Sequence, residues 1–382
     1  MKQMERIRFG VIGGGMMGRE FACAALRWPQ LKGNLPRPVV TAVCSRTENS
    51  LAWFRQNTDA TLFCQDYREL LQDPEVDAVY CAVPHHLHEA VYRDVILSGK
   101  HLLGEKPFGI DLQACQSILN AMRQQPEVFV RVASEFAFFP AVWQMMRMYE
   151  EGRFGAMIEA SFTMKHSSDL QLDKPINWKR VKAFNGEYGC MGDLGIHTQH
   201  VPFRLGLQPK TVSAQLSKLV TRRPGPDGAM VPCDTWDNAV LLCGGESRSG
   251  ERFPMRFEMK RMSPGDSNTV EYEILGMDFS ARFSTLQPNT LFVIDQKSRK
   301  PGWAGVPTGQ QAAYPTITGG IFEFGFSDAI LQMLAAYVSE LRGLPCPLAC
   351  FTPQEALLSH RVLTAALQSH RDGASVPVGD IA

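Results

Sequence analysis

The first third of the chain alternates short apolar runs with longer stretches in which apolar residues recur at helical spacing. The runs predict strands at Arg8–Ile12, Val39–Cys44, Ala78–Val83 and His101–Gly104. The stretches between them predict helices at Met16–Trp28, Asn49–Gln56, Tyr67–Leu71, His88–Ser98 and Leu112–Arg123. Strands that are apolar throughout are typical of a parallel sheet covered by helices on both faces. Residues 1–127 are therefore predicted to form a doubly wound α/β domain.

Beyond residue 127 the pattern changes to strands that follow one another with few helices between them. A strand at Phe129–Ala133 and a helix at Val142–Gly152 come first. Partial alternation of apolar and polar residues then predicts strands at Met157–Lys165, Thr211–Val220, Asn238–Cys243, Met255–Arg261, Val270–Leu275 and Leu291–Asp295. Two late helices are predicted at Glu323–Arg342 and Pro353–His370, and the stretch Lys297–Tyr314, rich in Gly and Pro, is predicted to be a loop.

Consecutive strands without intervening helices favour antiparallel pairing. Residues 128–382 are therefore predicted to form an α+β domain with a large, mainly antiparallel open sheet. The last helix of this domain is a candidate for packing back on the first domain.

The composition narrows the class of partner. Apolar residues make up 45% of the chain, and 39 Lys and Arg residues balance 39 Asp and Glu residues. With no net field to draw the chain to nucleic acid or to an anionic membrane, a small molecule is the expected partner. No apolar stretch approaches the roughly 20 residues that span a bilayer.

The cysteines and the N-terminal residues indicate the cellular compartment in which the protein is expected. Ten cysteines are scattered without a CxxC pair, which is typical of reduced thiols in the cytosol and gives no metal-binding pattern. Met1–Arg6 leads directly into the first apolar run and leaves no room for a signal peptide. A cytoplasmic protein without a bound metal is expected.

A glycine motif follows the first predicted strand. Gly13, Gly15 and Gly18 have the GxGxxG spacing, and Met16 and Met17 open the predicted helix. The first glycine allows a tight turn, the second a close approach of the backbone to a pyrophosphate, and the third close packing of helix on strand. Because the motif opens the first of several βα units, it predicts a Rossmann domain that binds NAD or NADP.

The end of the second strand bears on the choice between these cofactors. An NAD-specific site usually has Asp or Glu there, to bind the ribose 2′-hydroxyl. Here Ser45 and Arg46 follow the strand, and a guanidinium suits a 2′-phosphate. NADP is slightly favoured, although Arg46 as a solvated loop residue, or stacked on the adenine of either cofactor, fits the same sequence.

Three further stretches carry a family resemblance: Ala82–His88, Gly104–Pro107 and Gly192–His197. In order and spacing, together with the glycine motif and the closing segment Thr352–Val378, they make nearly the whole chain resemble the glucose-fructose oxidoreductase and inositol dehydrogenase family (Gfo/Idh/MocA). The resemblance implies an NAD(P)-dependent oxidoreductase that acts on a sugar, polyol or sugar derivative. It also implies a homodimer or homotetramer formed through the open sheet.

Residue chemistry supplies candidate catalytic groups independently of the resemblance. Hydride transfer from a carbinol needs a base for the hydroxyl proton, and His197 has a suitable ordinary pKa. Asp193 precedes it by four residues, which on a helix places both side chains on one face. Lys106 brings a positive charge that stabilises a developing alkoxide.

The resemblance implies roles for these residues and for others. The family typically places the lysine of its Glu-Lys-Pro motif and an Asp and His four residues apart around the reacting carbon, which correspond to Lys106, Asp193 and His197. It also implies a turn shaped by Pro107, often with a cis bond, and a substrate pocket that includes Trp178 and Lys179. The further predicted cofactor-binding residues are Pro84, His85, His88, Glu105 and Lys106, and His88 is expected to begin a helix.

Other interpretations fit parts of this pattern. Asp193 and His197 also suit a surface helix pair or two metal ligands, and Lys106 alone suits a solvated lysine. His85, His86 and His88 resemble a metal-binding tract.

The chain also departs from the family. It has His200 where many relatives have Asp, and the stretch 136–139 is aromatic where many have Arg. A larger or less anionic substrate is therefore expected.

Two alternatives to a dehydrogenase follow from the same motifs. The first is a redox-assisted glycosidase, which oxidises a ring hydroxyl transiently, eliminates the aglycone and returns the hydride. The second is a catalytically silent nucleotide-binding protein.

Overall fold

The computed structural model describes residues 5–309, 311–317 and 324–381. They form two compact units, neither of which is continuous in sequence. The first comprises Met1–Gly109, Gln113–Phe139 and Gln310–Pro353, and the second comprises Ile110–Leu112, Pro140–Gly309 and Gln354–Ala382. The predicted division after residue 127 stays a prediction; in the structure the segment Gln113–Phe139 belongs to the first unit.

The helices are α1 Met16–Leu26, α2 Glu48–Asn57, α3 Tyr67–Gln72, α4 His88–Leu97, α5 Leu112–Gln124, α6 Pro140–Glu150, α7 Lys182–Asn185, α8 Cys190–Leu205, α9 Phe326–Leu341 and α10 Pro353–Asp372. The strands are β1 Arg6–Ile12, β2 Arg37–Cys44, β3 Leu62–Cys64, β4 Ala78–Cys81, β5 His101–Gly104, β6 Val130–Val132, β7 Met157–Lys165, β8 Gln208–Ser217, β9 Arg222–Pro224, β10 Met230–Pro232, β11 Asn238–Glu246, β12 Arg252–Lys260, β13 Thr269–Gly276, β14 Phe279–Ser284, β15 Thr290–Asp295, β16 Ala304–Pro307 and β17 Val376–Pro377. No described helix is long and apolar enough to cross a membrane.

The first unit is built on a six-stranded parallel sheet with the order β3-β2-β1-β4-β5-β6. All four residues of β4 are buried, which explains why this strand is apolar throughout. The strand order reverses between β1 and β4. In such sheets ligands bind at the carboxyl ends of the strands beside this reversal.

The second unit is built on a nine-stranded sheet with the order β16-β15-β14-β13-β7-β12-β11-β8-β17. Only the β7–β12 pair within this sheet is parallel. Residues along β11 alternate between buried and more exposed positions, because one face of the sheet is covered. Helix α8 packs on β7 and β12. The predicted fold class, a Rossmann domain plus an α+β domain with a mainly antiparallel sheet, is confirmed.

Several elements differ from the sequence prediction. The elements that were not predicted are β3, β9, β10, β14, β17 and α7, and the stretch predicted as the loop Lys297–Tyr314 contains β16. β3 has only three residues, too few for a periodic pattern. β16 is an edge strand whose residues are mostly exposed. It forms by pairing with β15 and buries little apolar surface, so its sequence carries no hydrophobic pattern. The first residue of the predicted helix at 323–342 lies outside the described residues, and α9 begins at Phe326.

Candidate active site

The three glycines of the GxGxxG motif in the first unit differ in their steric surroundings. Gly13 has φ +108°, and a Cβ there would lie 2.3 Å from the carbonyl oxygen of Ala82. A Cβ at Gly18 would lie 2.1 Å from the carbonyl oxygen of Gly13, whereas a Cβ at Gly15 would meet no atom within 4 Å. The first and third glycines are required by the fold, and the second leaves open space.

The open space at Gly15 adjoins the N-terminus of α1. Gly15 is the N-cap residue, no side chain caps the helix, and no acidic residue lies in its first turn. Met16 is 73% exposed, and Met17 is half-buried. The free N–H groups and the positive end of the helix dipole therefore suit an anion. This cradle fits a dinucleotide pyrophosphate.

The end of β2 lies next to this cradle. A Cβ at Gly14 would lie 3.0 Å from Ser45 Oγ, and Arg46 is exposed. A cleft of about 510 Å³ is lined by Gly14, Gly15, Met16, Arg19, Glu20, Cys23, Ser50 and Trp53. The Arg19 guanidinium lies over the Trp53 ring, 5.4 Å from its centroid. Arg19 and Trp53 were not predicted from the sequence, because their helical positions carry no motif.

The turn after β4 confirms the predicted start of a helix at His88. Pro84 precedes the 3-10 turn His85–Leu87, and His85 is buried. The His88 ring is fully buried, with Nδ1 2.6 Å from the carbonyl oxygen of Pro107 and Nε2 2.8 Å from that of Val83. His88 therefore links the turns that follow β4 and β5. Direct contact of this turn with a cofactor stays a prediction.

The turn after β5 carries Glu105, Lys106 and Pro107. The peptide bond between Lys106 and Pro107 is cis, as the resemblance implied. Glu105 is buried, and its carboxylate accepts a hydrogen bond from the Tyr80 hydroxyl at 2.6 Å. It also faces the Lys106 backbone N–H at 3.3 Å. The structure gives Glu105 a role in fixing this turn, and its contact with a cofactor stays a prediction.

A buried carboxyl group that the sequence analysis missed lies at the same end of the sheet. Glu135 follows β6 and is 4% exposed. Burial raises its pKa to about 7, with a further increase from Glu105 and an opposing effect of Lys106. Glu135 therefore changes charge near neutral pH, beside the predicted catalytic lysine.

Helix α8 of the second unit carries the predicted acid–base pair. It follows Gly189, whose φ is +58° and where a Cβ would lie 2.5 Å from the Trp236 backbone nitrogen. Asp193 is 2% exposed and His197 is 3% exposed. The Tyr272 hydroxyl donates a hydrogen bond to the backbone oxygen of His197. The two side chains are buried, which is not what an ordinary surface pair on a helix would show.

Lys179 and Asp193 form an ion pair in the second unit. Lys179 Nζ lies 3.0 Å and 2.9 Å from the two Asp193 carboxylate oxygens. Trp178 is half-buried, and Lys179 Nζ lies 5.7 Å from the centroid of its ring. The Asn177 side chain caps this 3-10 turn by accepting a hydrogen bond from the Lys179 backbone N–H at 2.9 Å. The structure thus brings together Trp178, Lys179 and Asp193.

Arg261, which the sequence analysis also missed, supports this cluster. Its guanidinium is 1% exposed and lies 3.5 Å from the Asp193 carboxylate. It donates hydrogen bonds to the Lys179 carbonyl at 2.9 Å and to the Asn185 and Gly189 oxygens at 3.3 Å. His166 interacts electrostatically with Asp193, Lys179 and Arg261. No sequence motif marks either residue, because the contacts join segments that are distant in the chain.

The predicted site residues therefore form two sets. Lys106 and the glycine-rich turn belong to the first unit, and Lys179, Asp193 and His197 belong to the second. Within the described residues, no three or more His, Cys, Asp or Glu side chains are arranged to hold a metal ion.

The proteins to which this chain is similar in sequence are oxidoreductases. Residues 7–134 match the model of an oxidoreductase family with an NAD-binding Rossmann fold, GFO_IDH_MocA. Levoglucosan dehydrogenase of Pseudarthrobacter phenanthrenivorans is 25% identical over 334 residues, which are 81% of this chain and 82% of that protein.

Solved structures share the fold over almost the full length. An NAD-binding oxidoreductase from Klebsiella pneumoniae has a TM-score of 0.88 and 26% identity, over 98% of this chain and 99% of that one. Levoglucosan dehydrogenase in complex with NADH has a TM-score of 0.86 and 21% identity, over the same shares. With its glycine-rich turn, its two-unit fold and the match over residues 7–134, the chain is similar to the Gfo/Idh/MocA family of NAD-binding oxidoreductases.

Proposed function

We propose that the protein is a dehydrogenase or reductase for a secondary carbinol of a sugar, polyol or sugar derivative. The observation that carries the proposal is the buried Asp193, paired with Lys179 and followed one helical turn later by the buried His197. A buried carboxylate beside an ammonium offers both an acceptor and a donor to neighbouring hydroxyl groups. The relative named levoglucosan dehydrogenase supports a carbohydrate substrate.

Each of the predicted site residues has a separate role in the proposed reaction. His197 removes the hydroxyl proton during oxidation and returns it during reduction. Lys106 supplies the charge that stabilises the alkoxide as it forms. Asp193 and Lys179 hold a neighbouring hydroxyl and so orient the carbinol. The glycine cradle of the first unit suits a dinucleotide, and a bound nicotinamide would take up or supply the hydride.

The test is a comparison of Lys106→Ala, His197→Ala and wild type on a panel of sugars, anhydro sugars and cyclitols that includes levoglucosan. His197→Ala is expected to lower kcat by about 10²- to 10⁴-fold, as for lost proton transfer. Lys106→Ala is expected to lower kcat by about 10²- to 10³-fold, as for a lost group that stabilises the alkoxide charge. Rates near wild type in both variants would contradict these roles. Substrate turnover without net change in nicotinamide absorbance would favour the redox-assisted glycosidase, and tight cofactor binding without any turnover would favour the silent nucleotide-binding protein.

For the cofactor, the proposal includes a slight preference for NADP over NAD. It is supported by the exposed guanidinium of Arg46 and by Ser45 at the end of β2, where an NAD-specific site usually has a carboxylate. Arg46→Ala is expected to lower kcat/KM for NADP by about tenfold, the effect of one charged hydrogen bond, and to leave that for NAD unchanged. An equal effect on both cofactors would contradict the preference.

A homodimer or homotetramer formed through the open sheet is part of the proposal. The support is the family resemblance and the large sheet of the second unit. Light scattering on the eluted protein is expected to give a multiple of the 42.5 kDa chain mass. A clean monomer would contradict this.

A further inference from the structure

His166 lies where the strand β7 ends in the polar cluster of the second unit. β7 and β12 pair in parallel, with Lys165 opposite Lys260. The His166 backbone N–H donates to the Lys260 carbonyl at 2.9 Å, and its own carbonyl accepts from the Ser263 N–H at 3.1 Å. His166 is therefore held beside Arg261, the residue whose guanidinium faces Asp193.

The surroundings of the ring fix which nitrogen carries the proton. Nδ1 lies 2.8 Å from Ser168 Oγ and 3.4 Å from the Ser168 backbone nitrogen. A backbone N–H can only donate, so Nδ1 is an acceptor. The ring is 9% exposed, and burial lowers its pKa to about 4, so the imidazole is neutral at physiological pH. A neutral ring that accepts at Nδ1 carries its single proton on Nε2.

The Nε2–H group is left as a donor. Within residues 5–309, 311–317 and 324–381, no atom accepts a hydrogen bond from it. Nε2 is accessible although most of the ring is buried, so its N–H can donate to a ligand atom that enters this candidate binding cluster. The charged groups that act on the ring are Asp193, Arg261, Lys179 and Asp169, two of each sign.

We propose that His166 is a specificity-determining residue, whose Nε2–H donates a hydrogen bond to a second hydroxyl group of the substrate. The first hydroxyl is the one held by Lys179 and Asp193, and the inference rests on the proposed function. A donor without net charge, next to balanced charges, suits neutral polyols that bear at least two neighbouring hydroxyls. Because the charges that act on the ring balance, this position offers no net positive charge to an anionic group.

The test uses the full-length enzyme with its best substrate from the panel above. His166→Ala is expected to lower kcat/KM by about 3- to 10-fold, the cost of one neutral hydrogen bond, mainly through KM. His166→Gln is the matched variant, because its amide nitrogen can take the position of Nε2. His166→Asn places its amide nearer to Nδ1. Gln is therefore expected to retain more activity than Asn.

Monodeoxy analogues of that substrate separate a binding role from a structural one. For one analogue, which lacks the hydroxyl bound by His166, wild type and His166→Ala are expected to have equal kcat/KM. A loss in His166→Ala that is the same for every analogue would overturn the proposal. Nitrogen-15 NMR of the wild-type imidazole is an independent test that needs no variant, with a proton on Nε2 expected and a proton on Nδ1 contradicting it.

These outcomes also distinguish a failure of the proposed His166 role from a failure of the proposed dehydrogenase function. An active wild type with unchanged kinetics in His166→Ala would overturn this inference alone. A wild type that turns over no member of the panel would overturn the proposed function, and this inference with it.

Discussion

Lys179 Nζ lies 2.9 Å and 3.0 Å from the two carboxylate oxygens of Asp193, so that both oxygens of one buried carboxylate face one ammonium group. The two residues differ in accessibility, because the Lys179 side chain is 41% exposed and that of Asp193 only 2%. The carboxylate also has a second cation, Arg261, at 3.5 Å. Lys179 is therefore the partner that a substrate can reach, and Arg261 is the partner that maintains the fold.

Lys179→Met is expected to lower kcat/KM by about 10- to 100-fold, which corresponds to the loss of one charged hydrogen bond to substrate. The thermal unfolding midpoint is expected to change little, because Arg261 still compensates the Asp193 charge. Steady-state kinetics and thermal unfolding check the two parts. Lys182→Met is the matched control, since Lys182 forms an exposed pair with Glu187 in the same unit. Equal kinetics in both variants would contradict a substrate role for Lys179.

The glycine-rich turn offers a pair of matched substitutions. Gly15→Ala adds a Cβ to open space at a residue with φ −76°, so folding is expected to tolerate it. The same Cβ intrudes where the backbone would approach a pyrophosphate, and the Kd for the dinucleotide is expected to rise at least tenfold. Gly18→Ala forces a Cβ to within 2.1 Å of a backbone oxygen and is expected to lower the unfolding midpoint as well.

Cofactor titration by fluorescence and thermal unfolding distinguish the two glycine variants. A Gly15→Ala protein that binds NADH and NADPH as tightly as wild type would exclude this turn as the pyrophosphate site.

His88 predicts an acid-sensitive fold. Burial lowers its pKa to about 4, although its two carbonyl neighbours oppose the shift. Between about pH 6.5 and pH 4 the unfolded chain binds a proton at this ring and the folded chain does not, so stability falls as the pH falls. A difference of about 2.5 pH units corresponds to about 3 kcal/mol.

In His88→Gln this pH-dependent term is absent. The difference in unfolding midpoint between pH 7.5 and pH 5 is therefore expected to be smaller than in wild type, although the variant is less stable at pH 7.5. A wild-type midpoint that does not change over this range would rule out a neutral buried His88.

The residues that could be predicted from the sequence are those whose requirements are local. Gly13, Gly15 and Gly18 lie between a strand and a helix, and each serves a turn of a few residues. Asp193 and His197 are one helical turn apart, so their spacing alone places them on one face. The start of α4 at His88 is set by the turn that precedes it.

The residues that could not be predicted depend on distant segments. Arg261 reaches Asp193 across 68 residues, and in the sequence it is one more arginine at the end of a strand. Glu135 resembles any surface glutamate until the sheet of the first unit buries it. Edge strands such as β16 are equally difficult to predict, because they form by pairing with a neighbouring strand and their own composition is not typical of a strand.

Glu135 is expected to change the stability with pH in the direction opposite to His88: stability falls as the pH rises. Its pKa is raised to about 7 because the carboxyl group is buried and Glu105 lies nearby. From about pH 4.5 upward the unfolded chain releases this proton, whereas the folded chain retains it up to about pH 7. Folding therefore costs progressively more as the pH rises through this window, by up to about 3 kcal/mol.

Glu135→Gln keeps the shape of the side chain and cannot ionise. Its unfolding midpoint is expected to match that of wild type near pH 5 and to exceed it at pH 8.5. Glu127→Gln, which neutralises an exposed carboxylate in the same unit, is expected to show no such crossover. If Glu135→Gln is less stable than wild type at pH 8.5, the carboxylate is stabilised in the folded state, and Lys106 then outweighs burial and Glu105.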